Sequence, residues 1–224
     1  MGLTLSVKQN TTSSFKPIPE GMHLARCYRI IDLGTQTTRP KGVEKKMKKV
    51  LMQFEVHGED EKGNPLVTDK GEPMSISKRF TASLYEMATL RKQLESWRSR
   101  KFTEQELRSF ELKNVLGAWA MISVVKEEFD DGGDFVNIAN IVPVPPAIKK
   151  NGLPDGFNEL VYFDLDRPDM EVFNKLSRRL QETIQLSPEW KEAYGSIYAQ
   201  EQSASARSMD REKSLQDMEN DIPF

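Results

Sequence analysis

The sequence predicts a mainly β domain with helical additions, and three observations support this prediction. Runs in which apolar and polar side chains alternate recur along the first two thirds of the chain. Apolar residues at helical spacing stand between the third and fourth of these runs. A stretch rich in Pro and Gly then separates the strand-like part from further helical patterns. We therefore expect a domain of strands, a helical extension and a polar tail, in that order.

Five runs are predicted to be strands: Gly21 to Leu33, Val50 to His57, Met74 to Phe80, Ala118 to Phe129 and Phe135 to Val142. In the second run every other residue is apolar, which predicts one buried face. Those residues are Val50, Met52, Phe54 and Val56. The sequence Asp-Asp-Gly-Gly at 130–133 predicts a hairpin between the last two strands.

A helical insert is predicted between the third and fourth strands. Ser83 and Glu86 have the spacing of a capping box, and a second box runs from Thr103 to Glu106. An apolar stripe follows the first box at Leu84, Met87, Leu90, Leu94 and Trp97. Three strands, a helix and a two-stranded hairpin are the order of an OB-fold, a five-stranded barrel. An SH3-like barrel or a small α+β sheet would give a similar order.

The predicted organisation has four parts. A flexible N-terminal arm (1–20) precedes the OB-fold nucleic-acid-binding domain (21–145), and a Pro-rich connector with a helical extension (146–200) leads to a disordered acidic tail (201–224). In the extension, Asp169 is a predicted N-cap before an apolar stripe from Phe173 to Ile184, and Ser187-Pro188 starts another helix. These helices could pack on the barrel or on another subunit, so a homo-oligomer is possible.

Composition excludes several functional classes. The 224 residues carry a net charge of -2 and contain no long apolar run, so we expect a cytoplasmic protein, in the host cell if phage-encoded, without a membrane partner. One Cys and two His are too few for a structural zinc site, and we expect no cofactor. Phosphate-loop, metalloprotease and nucleophile-elbow motifs are absent, which argues against an enzyme. Asp164, Asp166 and Asp169 lack a further ligand that would complete a Mg²⁺ site.

The strongest positive cluster lies in a predicted loop from Gly34 to Lys49. Proteins hold single-stranded nucleic acid by basic grooves and by aromatic faces on which bases stack. The candidate nucleic-acid-binding residues are Arg26, Tyr28, Arg29, Arg39, Lys41, Lys45, Lys46, Lys48, Lys49, Lys78, Arg79 and Phe80. Tyr28 and Phe80 could instead be core residues, and the lysine loop could be an ordinary solvated surface.

The C-terminal residues form a second candidate site, for protein partners. Its residues are Asp217, Glu219, Asp221, Ile222, Pro223 and Phe224, an acidic stretch that closes on an apolar motif. Here the chain resembles the bacterial single-stranded-DNA-binding (SSB) family, whose acidic tail ends in the same Asp-Ile-Pro-Phe. The resemblance implies that this tail docks replication and repair enzymes.

The body differs from bacterial SSB and resembles a family of phage proteins treated as OB-fold single-stranded-DNA-binding proteins. The resemblance runs from Gly21 to Val142 and is carried by GMHLARCYRIIDLGTQ, SLYEMATLRKQLESWRSRKFTEQEL and ELKNVLG. It implies a non-enzymatic protein that coats single-stranded DNA in phage replication, recombination or repair and recruits enzymes through its tail. The alternatives are an adaptor of the replication machinery that does not bind DNA and a metal-dependent nuclease.

Overall fold

A six-stranded sheet forms the centre of the computed structural model, which describes residues 17–39, 42–128 and 134–194. The strands are β1 (Gly21–Thr38), β2 (Lys45–His57), β3 (Ser75–Thr81), β4 (Trp119–Glu128), β5 (Asp134–Val142) and β6 (Val161–Phe163). Antiparallel ladders give the order β3-β2-β1-β4-β5, and β6 pairs with β1 in parallel. The prediction of a mainly β protein with helical additions is confirmed. The sixth strand was not predicted, because three residues in a Pro-rich connector give no alternation to detect.

The predicted loop from Gly34 to Lys49 is wrong over most of its length. β1 continues to Thr38 and β2 begins at Lys45, and these two residues are paired. Thr and Lys occupy both faces of this hairpin extension, so its sequence lacks the apolar alternation that marks a half-buried strand. We call the paired segments 34–38 and 45–49 the basic arm.

Two helices, α1 (Thr89–Arg98) and α2 (Glu104–Ser109), lie between β3 and β4 as predicted. The second capping box is confirmed, since Thr103 and Glu106 exchange side-chain to backbone hydrogen bonds. The first is wrong: α1 begins after Ala88 without a side-chain cap, and the Ser83 hydroxyl accepts a hydrogen bond from the Tyr85 amide instead. A short 3-10 turn (Leu112–Val115) leads into β4.

The C-terminal extension contains α3 (Pro146–Lys150), α4 (Met170–Lys175), α5 (Arg178–Gln185) and α6 (Pro188–Ala193). Asp169 caps α4 by accepting from the amides of Glu171 and Val172, and Pro188 opens α6, as predicted. The apolar stripe from Phe173 to Ile184 spans two helices, because Leu176 is extended and ends α4. α4, α5 and α6 pack on the sheet of their own chain.

The sheet buries side chains on both faces. On the inner face, Val50, Met52, Phe54 and Val56 are buried as predicted, in a core that α1 completes. On the outer face a second core joins Ile31, Leu33 and Leu51 to β6 and to α4, α5 and α6. The extension comes so close that a Cβ on Gly34, whose φ is 67°, would lie 2.5 Å from the Ser187 Cβ. Gly34 therefore allows both the left-handed backbone at the register shift after Asp32 and the docking of α6.

The strands at the two ends of the order, β3 and β5, approach each other. Lys78 of β3 donates a hydrogen bond from its Nζ to the Ile138 carbonyl of β5. Among the described residues no backbone ladder joins these two strands, so by its hydrogen bonding the sheet is open. In the same part of the chain, no helix has both the length and the apolar character needed to cross a membrane.

Candidate nucleic-acid interface

A polar strip runs along the outer face of β2 and β3, beside the second core. Gln53 pairs with Ser77 and Lys49 pairs with Thr81, so these side chains share one face with Arg79. Ser77 and Arg79 are exposed, and Gln53 and Lys49 are half-buried. Lys49 also belongs to the basic arm, so the strip continues into the arm, whose lysines alternate between its two sides: Lys45 and Lys49 lie on the side of the strip, and Lys46 and Lys48 on the other. We call the strip together with both sides of the arm the basic face.

Arg26 lies away from this surface in a buried ion pair. Its guanidinium is 3.5 Å from the Glu55 carboxylate and donates to the Asn158 carbonyl at 2.7 Å. Glu55 is fully buried and also accepts from the amides of Phe157 and Asn158 at 3.0 and 2.7 Å. Burial opposes ionisation of this carboxyl, but its hydrogen bonds from Asn158, His57 and Phe157 outweigh that effect and lower its pKa. Arg26 thus fixes the connector on the sheet and is not available to phosphate.

The Arg26 site also depends on a glycine. A Cβ on Gly156 would collide with the Arg26 guanidinium. Sequence reasoning missed both Glu55 and Gly156. A charged residue in a strand usually faces solvent, and a glycine in a Pro-rich connector usually marks a turn, so neither residue signals a buried ion pair.

Three further predicted residues point into the protein. Tyr28 and Phe80 are only 5% and 2% exposed, so neither ring offers a face to a base. Lys78 shares the inner face with Phe80, and burial lowers the pKa of its ammonium group. That group donates to the backbone of β5 and is not directed at solvent. The interpretation of Tyr28 and Phe80 as core residues is confirmed.

Arg29 lies beside Gln53, at the end of the basic face away from the basic arm. It pairs with Gln53 across β1 and β2 and lies 3.5 Å from the side-chain oxygen of Gln53. Its Nε is buried and has no hydrogen-bond partner within the described structure. Arg29 is half-buried, so it contributes charge to this surface mainly at one edge.

The cations of the basic arm and the residues next to it, Arg39 and Arg79, fall into two groups. Arg39 pairs with Glu44 at 3.4 Å and Lys48 with Asp32 at 2.9 Å, and the Asp32 ion pair raises the pKa of Lys48 although burial alone would lower it. The second group is not neutralised: over the ranges that the structure describes, Lys45, Lys46, Lys49 and Arg79 make no salt bridge. Lys49 donates only to the Thr81 hydroxyl, at 2.8 Å. Lys41 lies outside the described residues, as do all six predicted partner-binding residues from Asp217 to Phe224.

Two exposed side chains beside the basic face were not predicted. Tyr85 is 85% exposed and Met87 77% exposed, in the corner between β3 and α1. Helical spacing had assigned Met87 to a buried stripe, but α1 begins only at Thr89. The corner starts beside the arm, because the Ala82 amide donates to the Lys48 carbonyl at 2.8 Å.

A separate cleft of about 450 Å³ lies between α1, α2 and the 3-10 turn. Arg98 and Arg100 line it, and both donate to Glu106. Hydrogen bonds from Arg100 and from the Thr103 amide hold the pKa of Glu106 at about 2. The carboxylate therefore stays ionised and offsets much of the positive charge in this cleft.

The described residues include His, Cys, Asp and Glu side chains, the usual metal ligands. Within those residues, no group of three His, Cys, Asp or Glu side chains is arranged to hold an ion. Asp169, one of the three aspartates considered from the sequence, is occupied in capping α4.

Comparison with known proteins does not assign the chain to a family. No protein-family model and no curated protein sequence matches it.

Proposed function

We propose that this protein binds single-stranded DNA along the basic face. The observation that carries the proposal is a group of cations that make no salt bridge among the described residues: besides the half-buried Arg29 at the edge, they are Lys45, Lys49 and Arg79 on the side of the strip and Lys46 on the other side of the arm. Phosphates attract such groups strongly, because binding releases the counterions condensed on the nucleic acid. The net charge of the whole chain is -2, so a local surface, and not the overall charge, must attract the strand.

The strand order supports an OB-like barrel as the framework of this site. In the order β3-β2-β1-β4-β5, a barrel would close between β3 and β5, the two strands that Lys78 bridges. A partly open five-stranded barrel with a helix between its third and fourth strands is the OB arrangement. OB-folds bind oligonucleotides on the face of strands 2 and 3 and with the loop between strands 1 and 2. These positions correspond to the polar strip and the basic arm.

The proposed role is to coat transient single strands during phage replication, recombination or repair. The paired part of the arm is antiparallel strand, so the backbone holds its lysines at regular spacing. From Lys45 to Gln53, β2 spans roughly 27 Å at strand rise, enough to contact several successive phosphates. The protein has no catalytic role in this proposal.

The acidic tail supplies the recruiting half of the proposal. Phe224 would enter an apolar site on a replication enzyme, while Asp217, Glu219 and Asp221 would meet a basic rim. The Phe224→Ala variant should lose binding to a purified replication partner and keep its affinity for DNA. Equal loss of both would contradict the separation of the two sites.

A salt titration with fluorescent oligo(dT) tests the DNA-binding half. We expect the logarithm of the affinity to fall linearly with the logarithm of the salt concentration, with a slope near 0.7 for each phosphate contact. Because four cations are available, the slope contributed by the basic face should be about 3.

Two other results would replace this proposal. Absence of binding at low salt would favour an adaptor that contacts only proteins. Mg²⁺-dependent cleavage of the oligonucleotide would favour a nuclease, and the products are visible on a denaturing gel from the same tube.

A further inference from the structure

We infer that Tyr85 is a base-stacking platform that works with the basic face. This inference rests on the proposed function, because it names the part of that site that contacts bases. A basic surface alone holds phosphates, whereas single-strand binding also uses aromatic faces. The two aromatic residues expected to serve that purpose, Tyr28 and Phe80, are buried, and Tyr85 is 85% exposed.

The backbone that carries Tyr85 is held at several points. The Ala82 amide donates to the Lys48 carbonyl and the Ala88 amide to the Tyr85 carbonyl, at 2.8 and 2.9 Å. The Tyr85 amide donates to the Ser83 hydroxyl at 3.2 Å. The Arg91 guanidinium holds the Leu84 carbonyl at 3.2 Å, and the Leu84 side chain packs on the inner core. Tyr85 is therefore presented on an ordered corner, so little backbone freedom is lost when a base stacks on it.

The corner that carries Tyr85 begins next to the basic face. Ala82 contacts Lys48 through its backbone, and the preceding residue, Thr81, accepts a hydrogen bond from Lys49. Tyr85 is three residues further along, which limits its Cα to roughly 11 Å from that of Ala82. Single-stranded DNA whose phosphates contact Lys49 thus has bases within reach of the Tyr85 ring. Glu86, the next residue, is exposed, and its negative charge repels phosphates.

The other strongly exposed aromatic residue in the described structure has different surroundings. Phe157 is 58% exposed, and its amide donates to Glu55, which is already paired with Arg26. The positive charge beside Phe157 is therefore neutralised. Charge complementarity favours the Tyr85 corner as the stacking site, and Phe157 provides a matched comparison.

The test compares two probes, an oligo(dT) and an oligomer of the same length made of abasic sugar phosphates. The Tyr85→Ala variant should lose roughly 5- to 140-fold in affinity for oligo(dT), the range measured for a lost stacking contact. Its affinity for the abasic oligomer and its salt dependence should stay as in the unmodified protein. The Tyr85→Phe variant keeps the ring and should bind both probes normally. The Phe157→Ala variant should also bind both normally.

A Tyr85→Trp variant gives a direct signal. Its added indole fluorescence should be quenched when oligo(dT) binds and should not change with the abasic oligomer. An equal loss of affinity for both probes in Tyr85→Ala, or no loss for either, would overturn the stacking role. Such a failure leaves the salt dependence of the unmodified protein intact, whereas failure of the proposed function removes oligo(dT) binding altogether.

Discussion

The two ends of the β1–β2 hairpin carry cations with opposite roles. At the end near His57, Arg26 is buried against Glu55 and holds the connector on the sheet. At the other end, Lys45 and Lys46 extend beyond both cores and remain exposed. The same ladder therefore contains a structural ion pair and a surface suited to phosphate. The number of positive charges in a strand does not distinguish these roles, but the residues packed against each charge do.

The two ends of the hairpin differ in whether other parts of the chain lie over their cations. Residues 156–158 lie over the Arg26 end and provide two amide donors to the carboxylate that Arg26 pairs with. A buried carboxylate with several donors and one cation is stable only while all of them remain in place. The basic arm is covered only in part: Glu189 of α6 accepts hydrogen bonds from Thr35, and Lys48 is paired with Asp32. Lys45 and Lys46 are exposed and make no salt bridge within the described structure, so these two cations keep their hydration and stay available for a ligand.

Removing the buried charge should have the largest effect on stability. We expect Glu55→Gln to lower the free energy of unfolding by about 3 kcal/mol, because Arg26 and two backbone amides lose their ionised acceptor. Urea unfolding at neutral pH measures this. An unchanged midpoint would mean that the connector is held mainly by the second core.

The stability lost in Glu55→Gln depends on pH. The pKa of Glu55 is lowered from 4.5 by folding, so its contribution is complete above that pH and is lost as pH falls through the lower folded value. The stability difference between the two proteins should therefore shrink in acid. A difference that grew on acidification would contradict an ionised Glu55 in the fold.

Gly34→Ala should have the next largest effect, at the root of the arm. A side chain there would adopt a left-handed conformation and meet Ser187, which costs about 2 kcal/mol or more. Gly71→Ala is the matched control, because φ is 78° there but a Cβ would meet nothing within 4 Å. Its cost should stay near 1 kcal/mol. Urea unfolding compares the two, and equal costs would argue against close docking of α6.

Neutralising the exposed end should change binding and leave stability nearly unaffected. We expect replacement of four cations by Gln to reduce the salt-dependence slope for oligo(dT) by about 3. The positions are Lys45, Lys46, Lys49 and Arg79. The unfolding midpoint should hardly move, since surface substitutions typically cost within about 0.5 kcal/mol.

A control with the same net charge separates a local site from overall attraction. Four exposed lysines elsewhere, also replaced by Gln, should leave the slope almost unchanged: Lys62, Lys70, Lys149 and Lys175. If the salt-dependence slope falls equally in both variants, the attraction comes from the whole surface and not from the basic face.

The sequence could predict those elements whose side chains alternate or cap. Alternation from Val50 to Val56 predicts the buried face of β2, and the Thr103 and Asp169 caps mark real helix starts. These signals are local, since each depends on a few neighbouring residues.

The remaining features depend on contacts between distant segments. Leu51 is on the nominally solvent side of β2 and is buried only because the C-terminal helices cover it. The basic arm is strand because Thr38 pairs with Lys45, which no hydropathy pattern shows. Likewise, Arg26 is buried whereas Lys45 is exposed, because Arg26 contacts Glu55 and residue 158. These partners lie 29 and 132 positions after Arg26 in the chain.

The smallest expected effect concerns the tail and its competition with DNA for the basic face. Asp217, Glu219 and Asp221 are opposite in charge to the arm, and we expect them to compete with phosphates for it at low salt. Removing residues 217–224 should then tighten oligo(dT) binding roughly threefold at low salt, and this gain should vanish at high salt, where such attraction is screened. Asp217→Asn combined with Glu219→Gln and Asp221→Asn removes the charge alone and should reproduce the gain. If truncation tightens binding and the charge variant does not, the apolar residues of the tail, and not its charge, occupy the site.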